Sequence, residues 1–279
     1  MNDRPRTIQF EGISSCNARC MFCPVSTCMT RKKGIMSDEL FHRIIKEGKE
    51  LRTKLFFPFL NGEPFLHPRI FEWLDYMESA RANFCLFTNA SLLTKEKIDR
   101  LVKYTKLKYV VCSINAATKE THEKITGLKN FDEIVENVKY LMEKAPFRVI
   151  ANLVLIDANK NEARQFSRMW RGHNHMNSFT NWAGYWHDPE EMIGEKIPCN
   201  HLLFNIFILW DGRVNLCCMD WDGRVILGDL TKQTVKEVWD SMENLRMRHK
   251  NLDFDMELCR DCNVICKRER YVRDNNERI

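Results

Sequence analysis

Ser14-Ser15-Cys16-Asn17-Ala18-Arg19-Cys20-Met21-Phe22-Cys23-Pro24 follows closely on the short apolar run Ile8 to Phe10. Its cysteines are spaced C-x3-C-x2-C, which puts three thiols on one tight loop at the end of a predicted strand. Three thiolates can hold three irons of a cubane cluster and leave the fourth iron open to an exogenous molecule. An open iron points to chemistry rather than scaffolding. The competing reading is a zinc site with Cys28 as the fourth thiolate, because structural Zn²⁺ takes closed tetrahedral sulfur coordination.

Outward from this loop, short apolar runs alternate with amphipathic stretches as far as about Ala183. Ile8 to Phe10, Leu55 to Leu60, Phe84 to Phe87, Tyr109 to Ile114, Val149 to Ile156 and the less regular Phe179 to Ala183 read as six strands. Between them Asp38 to Leu51, Phe71 to Ser79, Lys95 to Tyr104, Asp132 to Lys144 and Glu162 to Trp170 carry apolar residues at helical spacing, with Ser37, Thr94 and Asn161 as N-caps. Such alternation predicts parallel βα units.

The 279 residues, 44% of them apolar, allow one sizeable core with a small appendage and exclude a disordered or fibrous chain. The formal charge of +5, from 43 basic and 38 acidic residues, is small and spread out, with Arg31-Lys32-Lys33 the only short basic run before the C-terminus. Nucleic acid is therefore not expected as a partner. No secretory signal follows Met1 and no run of about 18 apolar residues occurs, so a cytoplasmic protein without membrane contact is expected. Twelve cysteines in a reducing compartment require a use other than disulfides, and metal ligation is the common one.

After about Trp186 the pattern changes. Asp188-Pro189-Glu190-Glu191 reads as a linker, Asp211-Gly212 as a hairpin turn, Val235 to His249 as an amphipathic helix, and Lys267 to Ile279 as a charged, solvated tail. Cys199, Cys217, Cys218, Cys259, Cys262 and Cys266 all fall here. C-x12-G-x4-C across the hairpin and the Cys259-x2-Cys262 knuckle can close a four-thiolate site, which suits zinc and an iron-sulfur cluster equally.

The C-x3-C-x-aromatic-C loop, with Phe22 as the aromatic residue, resembles the hallmark of the radical S-adenosylmethionine (SAM) enzymes, and the likeness runs nearly the whole length. It implies an α/β fold: a partial (β/α)6 TIM-like barrel over residues 1–187 and a small α+β Twitch/SPASM-like domain over 188–279. In that family SAM chelates the open iron of a 4Fe-4S cluster, and an electron from the cluster cleaves it to methionine and a 5′-deoxyadenosyl radical. The implied SAM contacts lie at the C-terminal ends of the strands. Asn61-Gly62-Glu63-Pro64 resembles the Gly-Gly-Glu motif that receives the SAM amino group, with Asn61 replacing the first glycine. Thr88-Asn89-Ala90 is similar to Thr-Asn-Gly near the ribose. Ser113-Ile114-Asn115 is similar to Ser-Leu-Asp, with Asn115 in place of the usual aspartate, and Ile125-Thr126-Gly127 fits the same segment. Asn152 in strand five is a further candidate. Each also reads as ordinary turn or strand chemistry: a polar turn ended by Pro64, and Asx turns at Asn89 and Asn115.

Pro198-Cys199, Trp210-Asp211-Gly212-Arg213-Val214, Cys217-Cys218, Gly228-Asp229-Leu230, Val238-Trp239 and Cys259-x2-Cys262 are similar to the SPASM/Twitch extension, which carries auxiliary 4Fe-4S clusters. The full extension has C-x2-C-x5-C-x3-C and a later cysteine and binds two clusters, whereas this chain has C-x2-C-x3-C and none after Cys266. The resemblance thus implies one auxiliary cluster on Cys199, Cys217, Cys259 and Cys262, with Cys218 and Cys266 as alternates. Cys28, Cys85 and Cys112 are expected to be structural.

The size and layout are similar to those of 2-deoxy-scyllo-inosamine dehydrogenase-like enzymes. The resemblance implies hydrogen abstraction from a sugar, polyol or aminocyclitol, with the electron passing to the auxiliary cluster and a flavodoxin or ferredoxin as donor. Alcohol oxidation also needs a base, and Asn181, Trp182, Tyr185, His187 and His67 are the loop residues placed to touch substrate. His67 beside Pro68 equally reads as a turn or core histidine. The alternatives are a maturase that modifies a ribosomally made peptide, disfavoured by a chain that begins almost at its first strand, and a non-catalytic zinc-binding adaptor.

Overall fold

Ile8 and Phe10, alternate residues of the first strand, are fully buried, while Thr7 and Gln9 between them are half-buried. That period of two sets the architecture, because one face of every early strand is apolar enough to take a layer of helices. The computed structural model describes residues 3–183, 185 and 195–266. In chain order its elements are β1 (Thr7–Phe10), the single turn α1 (Pro24–Thr27), α2 (Asp38–Glu50), β2 (Leu55–Phe57), α3 (Ile70–Ser79), β3 (Phe84–Thr88), α4 (Lys95–Leu101), β4 (Leu107–Ser113), α5 (Lys119–Thr126), α6 (Phe131–Lys144), β5 (Arg148–Leu155), α7 (Ala163–Met169) and β6 (Asn174–Ser178). After residue 195 come α8 (Asn200–Phe204), β7 (Asn205–Ile208), β8 (Arg213–Asn215), β9 (Ile226–Asp229), α9 (Val235–Ser241), α10 (Glu243–Lys250) and α11 (Glu257–Arg260).

All nine strands form one sheet in the order β6-β5-β4-β3-β2-β1-β7-β8-β9. The first six are parallel, as the βα alternation requires. β7 joins β1 in parallel, and β8 and β9 continue antiparallel. The sheet stays open at β6 and β9, so this is a partial barrel with an antiparallel extension rather than a closed one. Between sheet and helices Phe41 stacks on Trp73 at 4.1 Å, and Phe10 tilts against both. Burying such side chains is worth about 2 kcal/mol each. Ser37 and Thr94 cap α2 and α4 as expected, accepting from Leu40 N and Lys97 N.

Three sequence expectations need correction. The sixth strand is Asn174–Ser178, not Phe179–Ala183. It is an edge strand held by backbone pairing to β5, with every residue at least partly exposed, so it carries no apolar signal. Val235 to His249 is two helices rather than one, parted at Met242. There Arg246 Nη1 donates to Trp239 O, while Ser241 Oγ shares Val238 O with Met242 N. Asn161 lies inside a 3-10 turn and caps nothing. The Asp211-Gly212 hairpin forms with a three-residue loop: Gly212 N donates to Leu209 O, and Gly212 takes φ 92° as the left-handed residue such loops need.

The side chain of Arg31, in the short basic run, is buried. Its guanidinium makes two parallel bonds to Glu11 at 2.5 and 2.9 Å, and the side chains are 5% and 0% exposed. Glu11 also accepts from Trp210 N, Arg31 Nε donates to Trp221 O, and Asp222 accepts from Thr30 N and Arg31 N. Burial pushes the Glu11 carboxyl up and Arg31 pulls it back. Removing one partner strands a buried charge, so Glu11→Gln and Arg31→Met are each expected to cost about 3–5 kcal/mol. In thermal unfolding the double variant Glu11→Leu/Arg31→Leu should lose less than either single variant; additive losses would refute the coupling.

Candidate functional site

The three-cysteine loop leaves the C-terminal end of β1, where such sheets place their chemistry. Arg19 N donates to Thr126 O and Met21 N to Ile125 O, so the loop is pinned to the end of α5, the segment of the expected Ile125-Thr126-Gly127 motif. Trp182 Nε1 donates to Phe22 O from the other side at 2.8 Å. Cys16 Sγ accepts from Ala18 N at 3.4 Å and from Asn89 Nδ2 at 3.7 Å. Burial holds all three thiols above their ordinary range, Cys23 at about 11, and Cys20 is raised further by Cys23 and Cys16. Donors this buried become thiolates only beside a cation, which is what a cluster iron supplies. Cys28 turns away, its Sγ meeting Thr27 Oγ1 and the Tyr185 hydroxyl.

Glu63 ties the neighbouring strand ends together. One carboxylate oxygen accepts from Thr88 Oγ1 at 2.7 Å and Phe65 N at 3.1 Å, and the other from Asn89 N at 2.8 Å. Burial raises its pKa to about 7 against these three bonds. Glu63 N donates to Ser15 O, which brings the backbones so close that a Cβ on Gly62 would fall 2.2 Å from Ile13 O. Only glycine fits there. Asn61 and Pro64 are buried on either side. Asn89 reaches Asn17 Oδ1, and Ala90 takes φ 62°, the left-handed geometry for which a glycine stands in the Thr-Asn-Gly motif.

The structure brings Ser113 and Asn152 side by side in register, with Asn152 beside His175 on β6. Asn152 Oδ1 meets Asn177 Nδ2 at 2.7 Å and His175 Nδ1 at 3.3 Å, a polar row that the sequence reading missed beyond Ser113 and Asn152. Register puts the half-buried Phe57, Phe87 and Tyr109 on the same sheet face, and Phe59 stacks on Phe87 at 4.6 Å. Asn115 sits apart from this row, with its Oδ1 accepting from Val154 N at φ 62°. That favours its reading as a turn residue.

Of the loop candidates, Asn181 braces the second half instead. It is 2% exposed; Asn181 N donates to Asn263 Oδ1, Asn263 N to Asn181 Oδ1, and Asn181 Nδ2 to Asp261 O. His67 is a turn histidine, with Nδ1 accepting from Arg69 N and its ring 4.1 Å from Trp73. Tyr185 packs edge-on against Trp221, and His187 lies outside the described residues.

Cys199, Cys217, Cys259 and Cys262 line one cavity, walled mainly by apolar side chains such as Leu202, Leu216 and Ile265. Burial raises these thiols, Cys259 to about 12 and Cys262 to about 11, and each is raised further by its cysteine neighbours. Cys218 is not in the lining and faces His201 Nδ1 at 3.7 Å; Cys266 is buried beyond the lining. Among the described residues no three His, Cys, Asp or Glu side chains close to single-ion distances. Both donor sets fit a polynuclear iron-sulfur group. Cys85 and Cys112 are fully buried in β3 and β4.

Asn181→Ala strands buried polar groups of the 261–263 knuckle, so a loss of about 2 kcal/mol or more in thermal unfolding is expected, together with faster iron loss from the C-terminal thiols. His67 is held neutral, its pKa lowered by burial to about 4, whereas an unfolded histidine protonates below about 6.5. Its contribution to stability is thus present above about pH 6.5 and lost as pH falls towards 4. His67→Gln should flatten the stability profile in that window; an unchanged profile would refute it.

Residues 11–169 match the model of the radical SAM superfamily, and residues 199–263 that of the iron-sulfur cluster-binding domain SPASM. The chain is 29% identical over 164 residues to the AdoMet-dependent heme synthase of Methanosarcina barkeri, covering 58% of this chain and 46% of that one. It spans less than half the length of the first curated relatives it matches. With the S-adenosyl-L-methionine-dependent 2-deoxy-scyllo-inosamine dehydrogenase of Niallia circulans it shares 20% identity over 92% of both chains. The fold is similar to that of SuiB from Streptococcus suis bound to the precursor peptide SuiA, with TM-score 0.75 and 14% identity over 94% of this chain and 70% of that one. Among the described residues no helix is long and apolar enough to cross a membrane. With more than half of its length matched, and three thiols at the end of β1, the chain belongs to the radical SAM superfamily and carries a SPASM domain.

Proposed function

We propose that Cys16, Cys20 and Cys23 hold a SAM-binding 4Fe-4S cluster, that Cys199, Cys217, Cys259 and Cys262 hold one auxiliary 4Fe-4S cluster, and that the protein oxidises a sugar, polyol or aminocyclitol. The observation that carries this reading is that three thiols share the loop at the end of β1 while four others line one apolar-walled cavity in the C-terminal half. When bound, the first group supplies the electron that cleaves SAM to a 5′-deoxyadenosyl radical, and the second, with every iron ligated, accepts an electron.

The chain's own residues orient and exclude. Ala18 N and Asn89 Nδ2 favour thiolate character at Cys16. Glu63, Thr88 and Asn89 hold two strand ends in one geometry around the place where SAM would bind. The Ser113, Asn152, His175 and Asn177 row offers a hydroxylated substrate alternating donors and acceptors and an imidazole, and the facing aromatics offer an apolar floor. The match to the 2-deoxy-scyllo-inosamine dehydrogenase over 92% of both chains supports a small substrate, while the likeness to peptide-bound SuiB supports fold alone.

Iron, sulfide and zinc content with EPR of the dithionite-reduced protein, with and without SAM, tests this. About eight irons per chain are expected, falling to about four in Cys16→Ala/Cys20→Ala/Cys23→Ala, with a spectrum that SAM perturbs only when the first loop is intact. Stoichiometric zinc without a SAM effect would discard the proposal. Formation of 5′-deoxyadenosine stimulated by a peptide but by no polyol or aminocyclitol would transfer the reading to peptide maturation.

A further inference from the structure

His249 lies near the end of α10, is 1% exposed, and has no hydrogen-bond partner at either ring nitrogen. Its ring lines the same cavity as Cys199, Cys217, Cys259 and Cys262. Phe254 packs against it edge-on at 5.0 Å and 89°, which fixes the plane of the imidazole. A buried polar ring without a partner is costly, and native interiors keep few of them. The other cavity histidine, His201, differs, because its Nδ1 faces the Cys218 sulfur.

We infer that an N–H of His249 donates a hydrogen bond to a sulfur of the auxiliary cluster or of its thiolates and raises the reduction potential of that cluster. The inference rests on the proposal that the C-terminal thiols hold an iron-sulfur cluster. Four thiolates already satisfy four irons, so the ring acts as a positioning donor and not as a ligand. Such a bond favours the reduced state because it stabilises the added negative charge on sulfur. The result is a better acceptor for the electron that leaves the substrate.

The test uses the full chain carrying Cys16→Ala/Cys20→Ala/Cys23→Ala, so that only the C-terminal site is observed, with His249 intact, His249→Phe or His249→Gln. Anaerobic redox titration followed by EPR should show the reduction equilibrium at least tenfold less favourable in His249→Phe, about 59 mV for one electron. His249→Gln, which keeps an N–H donor, should recover most of the shift at the same iron content. Equal potentials in all three would overturn the inference. If His249→Phe fails to load iron, pulsed EPR on the His249-intact protein decides. A weak histidine nitrogen coupling absent from His249→Gln supports the donor role; no coupling overturns it, and a strong coupling overturns it in favour of direct ligation. Zinc, or no iron, in the parent chain would instead defeat the cluster reading itself.

Discussion

The buried pair of Glu11 and Arg31 is the constraint on which the rest of the site depends. Glu11 is the first residue after β1, and Arg31 closes the segment that carries the thiols, so their two hydrogen bonds define both ends of the cysteine loop. Trp210, Trp221 and Asp222 come from the C-terminal half and bond to this pair or to the backbone of Thr30 and Arg31. A buried ion pair adds little net stability against well-packed apolar residues, and its value lies in geometry. Here it admits one arrangement, because any other leaves a full charge in the interior without a partner.

Glu63 plays the corresponding part at the next strand ends, although among the described residues it makes no ion pair and Lys97 acts on it only through its charge. Its three donors belong to β3, to the residue after β3, and to the turn it opens itself. A carboxylate raised to about 7 by burial is poised between its charged and neutral forms, so a nearby ammonium group would draw it to the charged one. The motif thus combines rigidity with an unmet electrostatic demand. The C-terminal cavity differs in kind: its four thiols come from three separate stretches of chain and face apolar walls.

The sequence made the parallel core legible through periodicity, the first thiols through their C-x3-C-x2-C spacing, and the C-terminal ones through the density of cysteines around a hairpin and a C-x2-C knuckle. What it concealed has physical causes. β6 contributes backbone pairing and polar side chains but no buried apolar face, so Asn174–Ser178 carries no apolar pattern. The pairing of Arg31 is hidden because its partner lies twenty positions earlier and nothing local marks it. Asn181 resembles a substrate contact until Asn263, 82 residues later, is found opposite it. His249 looked like the end of an amphipathic helix; only the tertiary arrangement shows a ring facing four cysteines. Asn115 and Asn152 could not be separated by residue type, and the structure gives Asn115, just past β4, to a turn and Asn152, inside β5, to the polar row.

β7 joins β1 through four consecutive register pairs, Thr7 with Asn205 through Phe10 with Ile208. The second half is therefore not a bead on a tether but the other bank of the central strand. Without it, β1 would present a bare edge of unpaired backbone groups, a template for pairing with any extended chain. Loops around such a scaffold can lengthen or shorten without touching this seam, whereas loss of β7 would take away the hydrogen-bond partners of one whole edge of β1.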